Sequence, residues 1–311
     1  MTDYSIWVLE YGFVDRYPAS SLFIAQPHQG HRRMPYCFGL LRSAERCILV
    51  DTGFADAAVY QRMTDRYGDT LWTSPVEMLG RIGVRPDDVD AIVLTHNHLD
   101  HSGCVADFPS AEVYVQRREL IKFQEAAARP RRFEFLLRAA DAALPEVLSE
   151  RERSRRLTYV NGYLPVTDGL ELRPAFDTHT AGSQFALVEN AADGRWLFAG
   201  DNVYSYQNVE GLSGDGVMEP IGTSAGSQAV WLDTIDDALA WVGRDTIRVL
   251  PFHEAELFRR FPSREYADGL HIAEISLAGG HDSVLTVSEN AEGEDADGAD
   301  ADGADADGTE R

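Results

Sequence analysis

The segment Thr95-His96-Asn97-His98-Leu99-Asp100-His101 decides the fold, and it directly follows the apolar, β-branched run Ala91-Ile-Val-Leu94, which predicts a buried strand. Four potential metal ligands lie within six residues, and the segment holds three of the nine histidines of the chain. A loop leaving a strand end can aim His96 and His98 in one direction and Asp100 and His101 in another. Imidazoles suit zinc and similar ions, and a carboxylate adds charge. The spacing therefore predicts two adjacent divalent cations and is too dense for a chance cluster in a polar loop.

Strands and helices alternate around this segment. Ser74-Pro-Val-Glu77 is a capping-box sequence with proline at the first helical position, and it predicts a helix that ends near Gly83. The patterns predict further strands at 5–10, 36–41, 47–51, 91–95, 170–174, 184–189, 195–199 and 246–250, and helical segments at 117–150 and 229–242. Strands on both sides of a central helical stretch favour an α/β protein with two sheets and helices outside them, although composition alone permits a doubly wound sheet.

The chain is predicted to form one domain over residues 1–288, with 117–150 as a helical insertion, and an acidic tail over 289–311. The tail repeats Asp-Ala-Asp-Gly-Ala from Asp295 and again from Asp300, and holds no apolar residue larger than alanine. Such a segment cannot offset its ordering entropy, so we expect it to be disordered. A calcium loop beginning at Asp295 is excluded, because Ala299 and Ala306 would occupy ligand positions.

The amino-acid composition limits the kinds of partner that the chain can bind and indicates its cellular compartment. The net charge is −23, and only one of the 28 basic residues is a lysine, Lys122. So negative a surface repels polyanions, which argues against nucleic acid. The excess of acidic residues favours adaptation to a salt-rich cytosol. A GC-rich genome would explain the preference for arginine over lysine, but not the excess of acidic residues. No apolar run reaches the ~18 residues that span a bilayer. Without a basic leader, and with three unpatterned cysteines that indicate reduced thiols (Cys37, Cys47 and Cys104), the chain is predicted to be cytoplasmic.

The His-x-His-x-Asp-His spacing resembles the metal-binding signature of the metallo-β-lactamase superfamily, and further segments resemble that family's pattern in the same order. They are Asp51-Thr-Gly53, Asp177-Thr-His179-Thr-Ala-Gly-Ser183 without the usual Pro-Gly before the histidine, Phe198-Ala-Gly-Asp201, and Pro251-Phe-His253. The resemblance covers about residues 5–277. It implies a four-layer αββα fold in which two mixed β-sheets lie between helices.

The resemblance also implies a ligand set. One metal would be held by His96, His98 and His179, the other by Asp100, His101 and His253, with Asp201 as the bridge and Asp51 supporting the ligands from behind. Two divalent cations are expected, zinc first, with iron, manganese or cobalt as alternatives. The implied chemistry is hydrolysis by a hydroxide held between the two metals.

Variations within the superfamily narrow the function. His98 disfavours a flavodiiron oxidoreductase, because those proteins carry glutamate at this position. Asp201 disfavours a true β-lactamase, because those enzymes carry cysteine or serine there. Glyoxalase-II-type thioesterases add basic residues that bind glutathione, which a chain with one lysine fits poorly. Nucleases of this fold need a basic groove, which the net negative charge of the chain argues against. The chain is most similar to N-acyl homoserine lactonases, which place a catalytic tyrosine where Tyr204 stands. They share a long loop, here about 15–34, followed by Pro35-Tyr-Cys-Phe38, but carry Gly-His-Asp where this chain has Pro-Phe-His253-Glu.

The expected activity is therefore the opening of a lactone ring, with a small-molecule lactone or ester as the partner and a homodimer possible. Tyr204 would stabilise the oxyanion, and Asp100 would deliver a proton to the leaving alkoxide. An apolar acyl pocket could be lined by phenylalanines that are otherwise core or dimer contacts: Phe23, Phe123, Phe133 and Phe135. Two alternatives stay open: a hydrolase acting on a thioester or another cyclic ester, and a non-catalytic metal-binding protein.

Overall fold

The computed structural model describes residues 2–24, 26, 28–68, 70–222 and 224–286, so the predicted acidic tail at 289–311 lies outside the described residues. The strands are β1 (Ser5–Pro18), β2 (His31–Arg42), β3 (Cys47–Val50), β4 (Thr70–Trp72), β5 (Ala91–Val93), β6 (Glu112–Gln116), β7 (Leu157–Val160), β8 (Leu164–Thr167), β9 (Leu170–Pro174), β10 (Gln184–Asn190), β11 (Gly194–Gly200), β12 (Val249–Pro251), β13 (Ser263–Glu265) and β14 (His271–Ser276). The helices are α1 (Ala57–Tyr67), α2 (Pro75–Gly80), α3 (Leu99–Ser102), α4 (Arg117–Ala127), α5 (Leu144–Arg153), α6 (Tyr206–Glu210), α7 (Gln228–Trp241) and α8 (Leu257–Arg260).

The strands form two mixed sheets. The larger sheet has nine strands in the order β13-β14-β1-β2-β3-β5-β6-β7, with β4 paired to β1. Its β3, β5, β6 and β7 are parallel neighbours, whereas β1, β2 and β14 pair antiparallel. The smaller sheet has the order β12-β11-β10-β9-β8, and only β11 and β12 are parallel. Two mixed sheets with helices confirm the predicted fold class.

Alternation along the strands explains the layers. In β1, Ile6 and Val8 face the apolar layer between the two sheets, which also takes Val188 and Phe198 from the smaller sheet. The neighbouring residues Trp7 and Leu9 point to the opposite face and share a second apolar cluster with α1, α2 and α7. Because side chains alternate along a strand, a strand buried on both faces must be apolar throughout. This is why the central strands read as continuous hydrophobic runs.

Several predicted elements differ from the structure. The predicted loop at 15–34 is shorter, because β1 continues to Pro18 and β2 begins at His31. Irregularities in the β1–β2 pairing between Glu10 and Gly12, and between Val14 and Tyr17, bend this long strand without ending it. The predicted strand at 246–250 is instead a 3-10 turn, Thr246–Arg248, followed by β12. Sequence patterns did not indicate α1 or the strands β4, β6, β7, β8, β13 and β14.

The predicted hairpin and helix cap are present. Strands β2 and β3 pair antiparallel through a turn in which the Ser43 amide donates to the Arg46 carbonyl, 2.9 Å away. The Ser74 hydroxyl accepts from the Val76 amide at the start of α2, which satisfies one of the helix's free N–H groups. Helices α4 and α5 occupy much of the segment 117–150. Within the described part of the chain, no helix combines the length and apolarity needed to cross a membrane.

Candidate metal centre

All seven predicted metal ligands lie at one edge of the two sheets, just beyond strand ends. His96 follows β5, His98 precedes α3, and Asp100 and His101 lie in its single turn. The smaller sheet contributes from the loop after β9 and from the ends of β11 and β12: His179, Asp201 and His253. Parallel neighbours β3 and β5 in one sheet, and β11 and β12 in the other, bring their carboxyl ends together here.

The first group of ligands contains His96, His98, His179 and Asp201. The ligand atoms of all four lie within 4.8 Å of one another. His179 Nε2 is 2.9 Å from His98 Nδ1 and 3.3 Å from Asp201 Oδ2, and His96 Nε2 is 3.8 Å from the same carboxylate oxygen. Three imidazoles and one carboxylate in this spacing could hold one divalent cation.

The second group contains Asp100, His101, Asp201 and His253, again within 4.8 Å. The other carboxylate oxygen of Asp201, Oδ1, lies 2.9 Å from His101 Nε2 and 3.0 Å from His253 Nε2. Asp100 Oδ2 is 3.7 Å from each of the same two imidazole nitrogens. Asp201 therefore belongs to both groups, with one oxygen facing each.

The unpartnered atoms of the site test whether its residues fit metal ions. Four buried atoms have no hydrogen-bond partner of acceptable geometry among the described residues: His96 Nε2, His101 Nε2, His253 Nε2 and Asp201 Oδ1. Buried polar atoms are rarely left so, because an unmade bond costs about 1–3 kcal/mol. Four such atoms converging in one place fit two divalent cations with nitrogen and oxygen ligands.

Hydrogen bonds behind the histidines fix which nitrogen faces the site. His253 Nδ1 lies 2.8 Å from the Pro35 carbonyl, which can only accept, so Nδ1 carries the proton. His101 Nδ1 lies 2.7 Å from Asp51 Oδ2. In both rings a hydrogen bond therefore holds Nδ1, and Nε2 is the nitrogen that faces the site and would bind a metal. Asp51 is fully buried and also accepts from the amide and hydroxyl of Thr95, each at 2.7 Å.

Charge and burial oppose each other within the site. Burial lowers the pKa of His96 well below its usual value, which keeps this imidazole neutral and able to bind a metal. Burial alone would also lower the pKa of His101, but the carboxylates around it, Asp201 first, raise it well above the usual value. Burial would likewise raise the pKa of Asp201, yet the histidines around it hold that pKa well below its usual range. Asp201 is therefore ionised, and its negative charge lies among the imidazoles that would bind the metals.

Glycine permits the close approach of the two sheets at this edge. Gly200 precedes Asp201 with φ +52°, and a Cβ there would lie 2.7 Å from the Thr95 hydroxyl oxygen. Another residue would push β11 away from the strand end that carries His96. In the Phe-Ala-Gly-Asp sequence, the glycine is thus required for packing and the aspartate is the predicted ligand.

Glu119 is a site residue that the sequence analysis missed. It lies in the first turn of α4 and is buried, with 6% of its surface exposed. One carboxylate oxygen accepts from the amide of Asn97, between His96 and His98, at 3.0 Å. The other accepts from the Thr180 hydroxyl at 2.8 Å and the Gly182 amide at 2.7 Å. Glu119 therefore joins the two loops that carry the first ligand group.

Replacing Glu119 by leucine should weaken metal binding at the first group. The change leaves the buried amides of Asn97 and Gly182 without an acceptor, and losing such supporting contacts costs about 10- to 100-fold in metal affinity. Competition with a chelator, read by elemental analysis, measures the loss. Glu119→Gln keeps one acceptor and should lose less. Glu150→Gln, an exposed change on α5, serves as the control. Unchanged metal affinity in Glu119→Leu would contradict the positioning role.

Tyr204 lies against both ligand groups and is 5% exposed. Its ring is 5.7 Å from that of His179, edge to face, and 5.5 Å from that of His253. Its hydroxyl lies 3.5 Å from His179 Nδ1, which is a long contact, and Asp201 is also near the hydroxyl. Burial first, and then the nearby Asp201, raise the pKa of Tyr204 well above its usual value, so the hydroxyl keeps its proton.

A cavity of about 520 Å³ opens over the ligands. Apolar side chains from separate elements line it, among them Met34, Phe54, Met63, Leu99, Phe123, Phe135 and Leu136. Two of the four predicted phenylalanines, Phe123 and Phe135, are therefore at the cavity. Phe23 is instead fully buried in the core, which is the alternative that the sequence left open, and Phe133 lies outside the lining beside Arg129.

The family model described as the metallo-beta-lactamase superfamily matches residues 38–253. The chain therefore belongs to the metallo-β-lactamase superfamily, which confirms the predicted family. It is also similar to N-acyl homoserine lactonases, as predicted. It is 29% identical over 184 residues to an N-acyl homoserine lactonase of Bacillus cereus, covering 56% of this chain and 66% of that protein. An N-acyl homoserine lactonase of Azorhizobium caulinodans is 28% identical over 131 residues, covering 38% and 48% respectively. The matches thus span less than two thirds of these relatives.

Solved structures share the fold. An N-acyl homoserine lactone hydrolase with N-hexanoyl-L-homoserine bound at its catalytic metal centre superposes with a TM-score of 0.60 and 22% identity, covering 83% of this chain and 96% of that one. A dizinc quorum-quenching lactonase superposes with a TM-score of 0.55 and 16% identity, covering 89% and 97%. At these identities the likeness establishes the shared αββα architecture.

Proposed function

We propose that this chain is a dinuclear metal-dependent hydrolase that opens the ring of a lactone similar to the N-acyl homoserine lactones. The observation that carries the proposal is the placement of Asp201 and Tyr204. One carboxylate joins two groups of metal ligands, and the ring of Tyr204, whose hydroxyl keeps its proton, lies against a histidine of each group. Similarity to lactonases in both sequence and fold supports the same activity.

We assign the ligands to the two metals as the sequence predicts. His96, His98 and His179 would hold one cation, Asp100, His101 and His253 the other, and Asp201 would contact both. Zinc is the metal we expect, because neutral imidazole and carboxylate are its usual ligands. When bound, two such cations would supply an activated water nucleophile and polarise a carbonyl as Lewis acids.

The chain's own residues would then handle binding and protons. The apolar cavity wall would take the acyl part of the substrate and exclude bulk water from the carbonyl. The Tyr204 hydroxyl, which keeps its proton, would donate to the carbonyl oxygen as negative charge develops there. Asp100, the more exposed carboxylate of the site, would take up the proton that the water nucleophile loses and pass it to the alkoxide that leaves as the ring opens.

Two other functions compete with lactone opening. A hydrolase of a thioester or another cyclic ester would use the same ligands. A non-catalytic metal-binding protein would need the ligands but has no use for a tyrosine hydroxyl beside them, or for an apolar cavity that opens onto them.

A matched substrate panel tests the proposed activity. We expect N-hexanoyl-L-homoserine lactone to be opened at least about 10-fold faster, in kcat/KM, than a glutathione thioester or nitrocefin, because a pocket's contacts to the correct substrate are worth about 1–3 kcal/mol. Purified, metal-loaded protein is assayed for acid release at constant pH. A thioester that is the better substrate would instead establish the first alternative. No turnover of any ester by protein carrying two metals would establish the second.

A further inference from the structure

Basic side chains converge on the mouth of the cavity. The chain has 28 basic and 51 acidic residues, so a cluster of positive charge is unexpected anywhere on its surface. Nevertheless, five basic residues line this one cavity, including the single lysine, and we call them the basic rim: Arg62, Arg66, Lys122, Arg129 and Arg138. All five are exposed to solvent.

The acidic residues of the same cavity do not neutralise the rim. Asp100 and Asp201 belong to the metal-ligand groups, and the Glu119 carboxylate is bonded to the loops behind them. Glu125 pairs with Lys122, 2.7 Å away. For the four arginines, no carboxylate of the described residues comes within 4.0 Å of the guanidinium. The rim therefore keeps a net positive charge at the cavity.

Fold stability does not explain this arrangement. Arg62 and Arg66 lie four residues apart on α1, and like charges at that spacing destabilise a helix. The other rim residues come from a separate part of the chain, on α4 and in the segment that follows it. Two elements distant in sequence thus present positive charge to one cavity, and neither gains an ion pair from the other.

Aromatic neighbours restrict several of the guanidinium groups. The Arg66 guanidinium lies 5.1 Å from the ring centre of Tyr67, and that of Arg138 lies 5.8 Å from the ring centre of Phe135. Such contacts leave the planar N–H edge of the guanidinium free. That edge binds carboxylate and phosphate through paired hydrogen bonds.

The cavity consequently has three chemically distinct zones. The metal ligands in its lining and Tyr204 are buried or half-buried, apolar side chains such as Met63 and Leu99 line the wall, and the basic rim is exposed to solvent at the mouth. A substrate that fits all three has a hydrolysable carbonyl, an apolar middle and a negatively charged far end.

We propose that this site selects substrates that carry an anionic group, carboxylate or phosphate, at the end remote from the bond that is cleaved. The inference rests on the proposed hydrolase function and adds a substrate class to it. It also revises the argument from lysine content, because arginines supply most of the basic groups that the sequence seemed to lack.

Three lactones of equal acyl length test the proposal, ending in a carboxylate, a phosphate monoester or an uncharged primary amide. We expect at least one anionic lactone to exceed the amide about 10-fold in kcat/KM at low salt, since each exposed charge contact contributes little and several act together. The ratio should fall as KCl is raised, because salt screens exposed charges. Comparing the carboxylate with the phosphate shows which anion the rim prefers.

Paired variants locate the effect. Arg62→Gln with Arg66→Gln, and separately Arg129→Gln with Arg138→Gln, should each lower the anion-to-amide ratio about threefold or more. Arg153→Gln with Arg259→Gln is the matched control, since it removes the same charge from exposed arginines that do not line the cavity. Circular dichroism and metal content confirm that each variant is folded.

The outcomes separate the two proposals. If the amide lactone is opened and neither anionic lactone is faster, anion selection is wrong while the hydrolase stands. If the control pair lowers the ratio as much as the rim pairs, overall charge and not the rim is responsible, and the proposal falls. If no lactone is opened, both proposals fall together.

Discussion

Asp201→Ala should reduce hydrolysis at least about 1,000-fold, since metal-ion catalysis contributes several kcal/mol and each 1.36 kcal/mol is a factor of ten in rate. The same variant should lose at least one of the two metal equivalents that we expect in the unaltered protein. Elemental analysis of protein expressed in metal-supplemented medium measures the metals, and initial rates on the lactone measure the activity.

The physical reason is the position of the carboxylate. Asp201 Oδ1 lies 2.9 Å from His101 Nε2 and 3.0 Å from His253 Nε2, while Oδ2 lies 3.3 Å from His179 Nε2. Alanine removes the only oxygen ligand of the first group and the negative charge between the two groups. Two cations a few ångströms apart would then repel each other without an anion to offset them.

A surface change of the same kind provides the control for Asp201→Ala. Asp236→Ala removes an aspartate that forms an exposed ion pair with Arg244, and it should leave both metals and the rate unchanged. The dinuclear hypothesis is wrong if the unaltered protein binds one metal or none. The role of Asp201 as the ligand shared by the two metals is wrong if Asp201→Ala still carries two.

The features that could be predicted from the sequence are those that depend on short, continuous segments of the chain. His96, His98, Asp100 and His101 lie within six residues, so their spacing alone indicated a metal site. The distant ligands His179, Asp201 and His253 were recognisable because each follows a strand in the order that the family shares. The structure brings all seven together at one sheet edge.

The missed features depend on contacts between separate elements. Glu119 looked like any acid in the first turn of a helix, and its meaning depends on amides 22 and 63 residues away. The close packing that makes this possible is visible at Gly182, where a Cβ would collide with the Glu119 backbone. No local pattern reports such a contact.

The basic rim was hidden for a related reason. The single lysine of the chain suggested that an anionic substrate such as a glutathione thioester fits poorly. A count over the whole chain, however, does not show where basic side chains come together in the fold. Arg62 and Arg138 are 76 positions apart in sequence and line the same cavity. The length of β1 was missed similarly, because bulges let the strand continue where its alternation is interrupted.

Tyr204→Phe should lower kcat about 10- to 1,000-fold on a lactone while leaving the metals in place, the range for losing one donor to a developing oxyanion. The hydroxyl is the only group removed. Its long, 3.5 Å contact with His179 Nδ1 contributes little to holding that ligand. Because the expected interaction strengthens in the transition state, KM should change much less than kcat.

The chain provides a matched control two residues further on. Tyr206 is likewise buried, and its hydroxyl has no hydrogen-bond partner among the residues that the structure describes, so Tyr206→Phe removes the same atom from a buried site. That variant should keep the unaltered rate, and a loss there would mean that hydroxyl removal acts through packing. If Tyr204→Phe has no effect on any lactone and a thioester proves the better substrate, the lactonase assignment is wrong. The metal-dependent hydrolase would survive that result, because none of its seven ligands depends on the tyrosine hydroxyl.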